Sequence, residues 1–166
     1  LALRAAMAKW APSRVMLLGD SFHDAAGPDR MAPADRMLLD QLAAAADLIW
    51  LSGNHDPCLP EYLPGSRSSE IALGGITLRH EPGVGAVNEI AGHLHPVAAI
   101  KRRGRRLRTK CFVISLTRII LPAFGAYTGG LDVRHDAFRP LLAGEAFRVI
   151  MVGKMALHVL PGRAVL

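Results

Sequence analysis

Four short stretches carry residue types that hold metal ions and move protons: Gly19-Asp20 with Asp24 (GDSFHD), Gly53-Asn54-His55-Asp56 (GNHD), His80 (LRH) and Gly92-His93-Leu94-His95 (GHLH). Singly, each reads more readily as ordinary structure: Gly-Asp is a common turn, Asn54-His55 a capping turn, His80 a strand-end residue. GHLH is more specific, because histidines two apart on an extended chain point the same way and address neighbouring ions. The combination carries the weight. Four of the seven histidines, His55, His80, His93 and His95, stand there as candidate donors, with Asp20, Asp24, Asp56 and Asn54. Imidazole with carboxylate suits Mn, Fe or Zn, whereas an all-oxygen shell suits Mg or Ca. Such ligands spread over four loops can hold two ions about 4 Å apart, the arrangement that clamps a phosphoryl oxygen and activates water. A glycine before a ligand lets the chain turn tightly and keeps bulk away from the ions.

A second feature is charge. Lys101–Lys110 (KRRGRRLRTK) holds seven cations, namely Lys101, Arg102, Arg103, Arg105, Arg106, Arg108 and Lys110, and no anion. The whole chain has 20 Lys and Arg against 14 Asp and Glu, a net +6, so without this segment 13 positive groups would face 14 negative ones. With Gly104 at its middle the segment predicts a hairpin whose arms carry arginines, offering a contact for nucleic-acid phosphates. A solvated hairpin that blunts a sheet edge is the plainer alternative.

The elements that position these residues follow from periodicity. Residues 2–10 read as the end of a helix and Arg14–Leu18 as a buried strand; Pro33 opens a helix with apolar residues at three- and four-residue spacing; Asp47–Leu51 is a second strand. Strand, helix, strand predicts a parallel βαβ unit with a right-handed crossover. From residue 70 onward short strands follow one another at turn-bounded intervals, read as mainly antiparallel. In each candidate stretch the notable residues lie at or just past a strand end, where open α/β sheets bind ligands. The expectation is one domain over 1–166, α/β in front and β-rich behind. A composition of 51% apolar and 20% charged residues excludes wholesale disorder. No stretch has the length and apolarity of a membrane span or signal peptide, which points to a soluble, cytoplasmic protein. Cys58 and Cys111 lack CxxC spacing and are read as buried thiols.

GDxxxD, GNHD, a lone His after a strand and GHxH, in that order, resemble the calcineurin-like metallophosphoesterases. More narrowly, LGDSFHD, LSGNHDP, LRHEP, EIAGHLHP and LPAFGAYTGGLDV resemble the bacterial DNA-ligase-associated metallophosphoesterases, nucleases assigned to the DNA damage response. The resemblance implies an α/β/β/α sandwich of mixed sheets and a divalent metal, Mn first and Fe or Zn next. It implies Asp20 as the carboxylate bridging two ions, Asn54, His80 and His93 completing the second ion's shell, and His95 on the first. His55 would protonate or stabilise the leaving group, Asp56 would orient its ring, and Asp24 would hold a ligand in place. DNA is the implied substrate, and DNA ligase and helicase repair proteins are the implied partners.

The chain departs from the family in lacking a D-x-H motif, since Asp20 is its first acid and His23 has the wrong order and spacing. That implies a missing N-terminal strand beside Arg14–Leu18, two ions in the family but one or partial occupancy here, and impaired catalysis. Ser115-Leu116-Thr117 replaces a Gly-bearing turn, an altered hairpin without catalytic consequence. Leu121–Val133 reads as a loop near the metals, its Gly129-Gly130 permitting close backbone approach; Tyr127 receives no role. The leading expectation is a metal-dependent phosphodiesterase acting on DNA. A small-molecule phosphatase or phosphodiesterase and a metal-binding scaffold subunit of a repair complex are the alternatives.

Overall fold

A computed structural model describes residues 2–125, 128–142 and 144–165. The chain forms two compact units, Leu1–Ile71 and Ala72–Leu166.

The first unit contains α1 (Ala2–Trp10), β1 (Arg14–Leu17), α2 (Pro33–Ala45), β2 (Asp47–Leu51) and β3 (Ser66–Ser68). Pro33 sits in the first turn of α2, where its missing N–H costs nothing, and the helix ends at Ala46 in extended conformation, leading straight into β2. As expected, β1 and β2 pair in parallel, with Arg14 opposite Asp47 and Leu17 opposite Trp50. The sheet order is β1-β2-β3. Leu48 and Trp50 project from one face of β2 and pack with Met7 of α1 and Leu42 and Ala46 at the end of α2. The Trp50 indole N–H donates to the Pro64 carbonyl at 2.8 Å, so this large core ring leaves no polar atom stranded. β3 was not expected from the sequence. Its Ser-Arg-Ser run is largely exposed and pairs on one side only, so it has no apolar alternation to reveal it.

The second sheet comprises β4 (Glu70–Leu73), β5 (Ile76–Arg79), β6 (Glu89–Ala91), β7 (Pro96–Arg102), β8 (Arg105–Ile114), β9 (Arg118–Ile120), β10 (Leu131–Asp132), β11 (Arg148–Val152) and β12 (Leu157–Pro161), with the short α3 (Arg139–Leu142) between β10 and β11. Its main path runs β10-β7-β8-β9-β6-β5-β4, and β11 joins β8 and β12. β7 with β8, β8 with β9, and β11 with both β8 and β12 are antiparallel, as expected of this β-rich part. β5 with β6, β6 with β9, and β10 with β7 are parallel, so the sheet is mixed. Apolar alternation reports which face a residue occupies and is silent on strand direction. The core of the second unit gathers Ala98, Cys111, Val113, Ile120, Phe138 and Val149. Among the described residues no helix is long and apolar enough to cross a membrane.

Candidate metal centre

In the first unit both candidate stretches follow C-terminal ends of parallel strands. After β1, Gly19 (φ 77°) and Asp20 (φ 49°) are both left-handed. Glycine enters that region freely, whereas for an aspartate it is uncommon and concentrates at functional loops. What holds Asp20 there is Asp56, whose side chain is fully buried. The Asp56 carboxylate accepts the backbone N–H groups of Asp20 (2.9 Å), Ser21 (2.7 Å), Phe22 (3.1 Å) and Gly53 (3.1 Å). In return Asp20 Oδ1 accepts the N–H of His55 at 2.9 Å. Two carboxylates thus brace two loops against each other. Gly53 makes the close approach possible, because a Cβ there would lie 2.2 Å from both the Asp20 nitrogen and Oδ1 and 2.6 Å from Asp56 Oδ1.

Asn54 and His55 are exposed beside this brace. The two Asp56 oxygens serve backbone amides, and their direct effect is on the shape of the Asp20 loop. Asp24 lies in an exposed turn. Its carboxylate pairs with Arg30 at 2.7 Å and accepts the Ala26 N–H at 3.0 Å. The Arg30 hydrogen bond, reinforced by its charge, holds the Asp24 carboxyl below the usual carboxylate range. Both partners belong to its own exposed turn, so Asp24 shapes that turn while Asp56 supports the Asp20 backbone.

In the second unit β5, β6 and β9 run parallel, and His80 and Gly92 follow the first two of them. The Gly92 N–H donates to the His80 carbonyl at 2.9 Å, fastening one strand end to the next. His80 is buried, and its Nε2 lies 3.2 Å from Nδ1 of His93, with the rings nearly perpendicular at 80°. His93 (φ 63°) and His95 (φ 46°) are left-handed, and the Leu94 N–H closes a three-residue turn on the Gly92 carbonyl at 2.8 Å. A turn of this kind with positive φ at its centre is the rarer, strained form. GHLH is therefore coiled instead of extended, which corrects the expectation that alternation on an extended chain aligns the two histidines. The motif works by backbone strain, which residue spacing alone does not disclose.

The His80–His93 separation allows a test of metal fit. Two nitrogens bound to one ion at 2.0–2.1 Å lie about 3.3 Å apart at the tetrahedral angle and about 2.9 Å apart at a right angle. The observed 3.2 Å falls within that span. A hydrogen bond between neutral imidazoles also has this length, but it would not require a strained backbone at His93. The donor types and the spacing fit one divalent ion.

Beneath these loops lies a buried pair that residue patterns did not single out. Glu89 on β6 faces Arg118 on β9, with both side chains almost fully buried and 2.7 Å between Arg118 NH1 and Glu89 Oε1. Arg118 also donates to the carbonyls of Gly83 (3.0 Å) and Ala86 (2.7 Å), and Glu89 Oε2 accepts the Gly83 N–H at 3.2 Å. The pair straps down the loop that begins at His80. A charge inside each of two apolar strand runs, NEIA and RIIL, was the available signal.

The basic segment forms the expected hairpin. Arg103 (φ 49°) and Gly104 (φ 77°) are both left-handed, as a two-residue turn matched to strand twist requires. Arg108 donates to the Gly130 carbonyl at 3.0 Å, while Lys110 Nζ binds the carbonyls of Ala123 (2.8 Å) and Gly125. These two cations thus secure the 121–133 loop. Gly130 (φ 72°) does make a close approach, with a Cβ there 3.0 Å from the His95 carbonyl, but among the described residues no atom lies within 4 Å of the Cβ position of Gly129. The Leu131 N–H donates to the same carbonyl at 3.1 Å. Tyr127 lies outside the described residues. Of the two thiols, Cys111 is buried as expected, whereas Cys58 is exposed, because it follows the tight GNHD turn at the surface instead of lying in a strand.

No protein-family model and no curated protein matches the chain. A solved structure does, that of the nuclease MPE of Pseudomonas putida. The similar structure is a nuclease. It is 28% identical, the match covers 96% of this chain and 75% of that one, and the TM-score is 0.71. A similarity of this extent is that of a shared fold, and the chain shares its mixed α/β character, with ligand-type residues after parallel strands.

Proposed function

We propose that the protein is a metallophosphoesterase of the DNA-ligase-associated kind, a metal-dependent phosphodiesterase that cleaves DNA in the cytoplasm during repair. The observation that carries this reading is the His80–His93 nitrogen pair, 3.2 Å apart and held by a left-handed His93. The similarity to a nuclease supports it from outside the chain. On this reading Asp20, His80 and His93 would be among the donors to the divalent metal, Mn by preference and Fe or Zn as alternatives. Asn54 would complete the shell that His80 and His93 begin, and His95 would serve the other ion. Bound there, the ion would lower the pKa of water and polarise a phosphoryl oxygen.

The chain's own residues do the rest. Asp56 fixes the Asp20 backbone through its four amide contacts, so that the carboxylate is oriented before metal arrives. His55 is exposed, and its ring is free of the loop brace that its backbone N–H makes with Asp20. It holds a proton for the departing oxygen of the phosphodiester. The Lys101–Lys110 hairpin supplies the positive charge that a polyanionic substrate requires. DNA ligase and helicase repair proteins are the partners this reading brings with it.

The test is hydrolysis of bis(p-nitrophenyl) phosphate by the purified chain with Mn, alongside metal analysis. Wild type should turn over the diester. Asp20→Ala should lose bound metal and turnover together, whereas His55→Ala should keep its metal and lose roughly 100-fold or more in kcat on DNA, whose alkoxide leaving group needs a proton that p-nitrophenolate does not. Normal metal content in Asp20→Ala, or unchanged kcat on DNA in His55→Ala, removes the corresponding role.

A further inference from the structure

Beyond the two cations that secure the neighbouring loop, the tip of the β7–β8 hairpin presents Lys101, Arg102, Arg103, Arg105 and Arg106, all exposed. Among the described residues no side-chain hydrogen bond or ion pair engages the first four of them, and Arg106 has only the charge of Asp132 nearby. The register sets Lys101 directly opposite Arg106 and Arg102 directly opposite Arg105. Like charges at directly opposed positions destabilise a strand pair. The turn adds a second local cost, since Arg103 occupies a left-handed position that Asn, Asp or Gly would fill more comfortably. A segment in which pairing, charge and turn chemistry conflict is characteristic of a site whose ligand relieves the conflict. The ligand that does so here is a polyanion.

The placement of the cations narrows its form. Successive residues of a strand point to opposite faces, so Lys101 and Arg106 share one face of the ribbon and Arg102 and Arg105 the other. A ribbon that lies on a single strand needs charge on one face. A ribbon that enters a groove meets a phosphate backbone on each side. The major groove of a B-form duplex, about 12 Å wide, admits a two-stranded ribbon. The tip also lacks any aromatic ring between residues 96 and 111 on which unpaired bases would stack.

We propose that the β7–β8 ribbon inserts into a groove of duplex nucleic acid, with Lys101 and Arg106 engaging one backbone and Arg102 and Arg105 the other. This rests on the nucleic-acid reading above and adds the form of substrate and the element that grips it. The experiment is fluorescence anisotropy with a short labelled duplex and its matching single strand, both in EDTA so that no cleavage intervenes. Four engaged phosphates give a slope of log K against log salt near −3.6, hence roughly a 150-fold weaker duplex complex on going from 50 to 200 mM salt. Lys101→Gln/Arg106→Gln and Arg102→Gln/Arg105→Gln should each lower that slope by about 1.8. Both exchanges remove a cross-strand repulsion, and a melting temperature no lower than that of wild type shows that the ribbon is intact. Single strand bound as tightly as duplex, a slope that responds to one face only, or binding to phosphatidylserine vesicles without duplex binding overturns the proposal. Hydrolysis of bis(p-nitrophenyl) phosphate reads the catalytic proposal separately: turnover without duplex binding sinks the ribbon alone, and duplex binding without turnover sinks the catalysis alone.

Discussion

Single atoms set the tolerance of the Asp20 loop. Gly53 sits where a methyl group would overlap the Asp20 backbone nitrogen, and backbone cannot swing aside as a long side chain can. Gly53→Ala should therefore cost about 1–3 kcal/mol, the usual range for overpacking, and should weaken Mn binding 10–100-fold as Asp20 is displaced. Thermal unfolding and calorimetric Mn titration check the two effects, and an alanine variant that melts and binds like wild type would show that the loop yields freely. At this scale the sequence was partly transparent. Gly-Asp, Gly-Asn-His-Asp and Gly-His-Leu-His advertise metal chemistry by residue type, and each does follow a strand. The left-handed backbone at Asp20, His93 and His95 was opaque, because nothing in a residue's identity announces a strain that only its surroundings impose. The four amides converging on Asp56 were equally hidden, since they come from positions 20 to 22 and 53, far from it or unremarkable in type.

Among elements, the loop after β5 depends on a charge pair. Burying Glu89 and Arg118 together incurs desolvation that their contact and the loop carbonyls offset, and removal of one partner leaves the other charged in the core. Arg118→Met should destabilise the chain by about 3–5 kcal/mol, and adding Glu89→Gln to it should restore part of that loss. Urea unfolding of the single and double variants measures the difference, and a double variant no more stable than the single one would mean that the charges act independently. Metal affinity should stay low in both, since the carbonyls of Gly83 and Ala86 have lost their tether. The strands themselves were legible wherever apolar residues alternate, as in β7 and β11. β3 and β10 were missed because one is polar and the other only two residues long, and the direction of β6 and β9 is decided by long-range pairing that no local pattern records.

For the molecule as a whole, the two thiols report on the difference between surface and core. Burial, and secondarily the negative charge of Asp132, pushes the Cys111 thiol up to about 12, while Cys58 is open to solvent. Iodoacetamide at mildly alkaline pH should label Cys58 in the folded chain and both thiols after unfolding, as peptide mapping would reveal; modification of Cys111 under native conditions would contradict its burial. The pH dependence has a definite sign. In the unfolded chain the Cys111 proton leaves near the ordinary thiol value of about 8.5, whereas the folded chain keeps it until near 12. Stability from this group is complete below about pH 8.5 and drains away as pH rises through that window. The urea midpoint of wild type should fall between neutral pH and pH about 10 by more than that of Cys111→Ala.

Arg103 sets two selective pressures against each other. Replacing it with Asn would ease the reversal of the chain between β7 and β8 and sacrifice one positive group at the outermost point of the ribbon. A screen rewarding heat resistance alone should recover that exchange readily, and a screen rewarding capture of a polyanion should discard it, so the residue found at this corner records which demand prevailed.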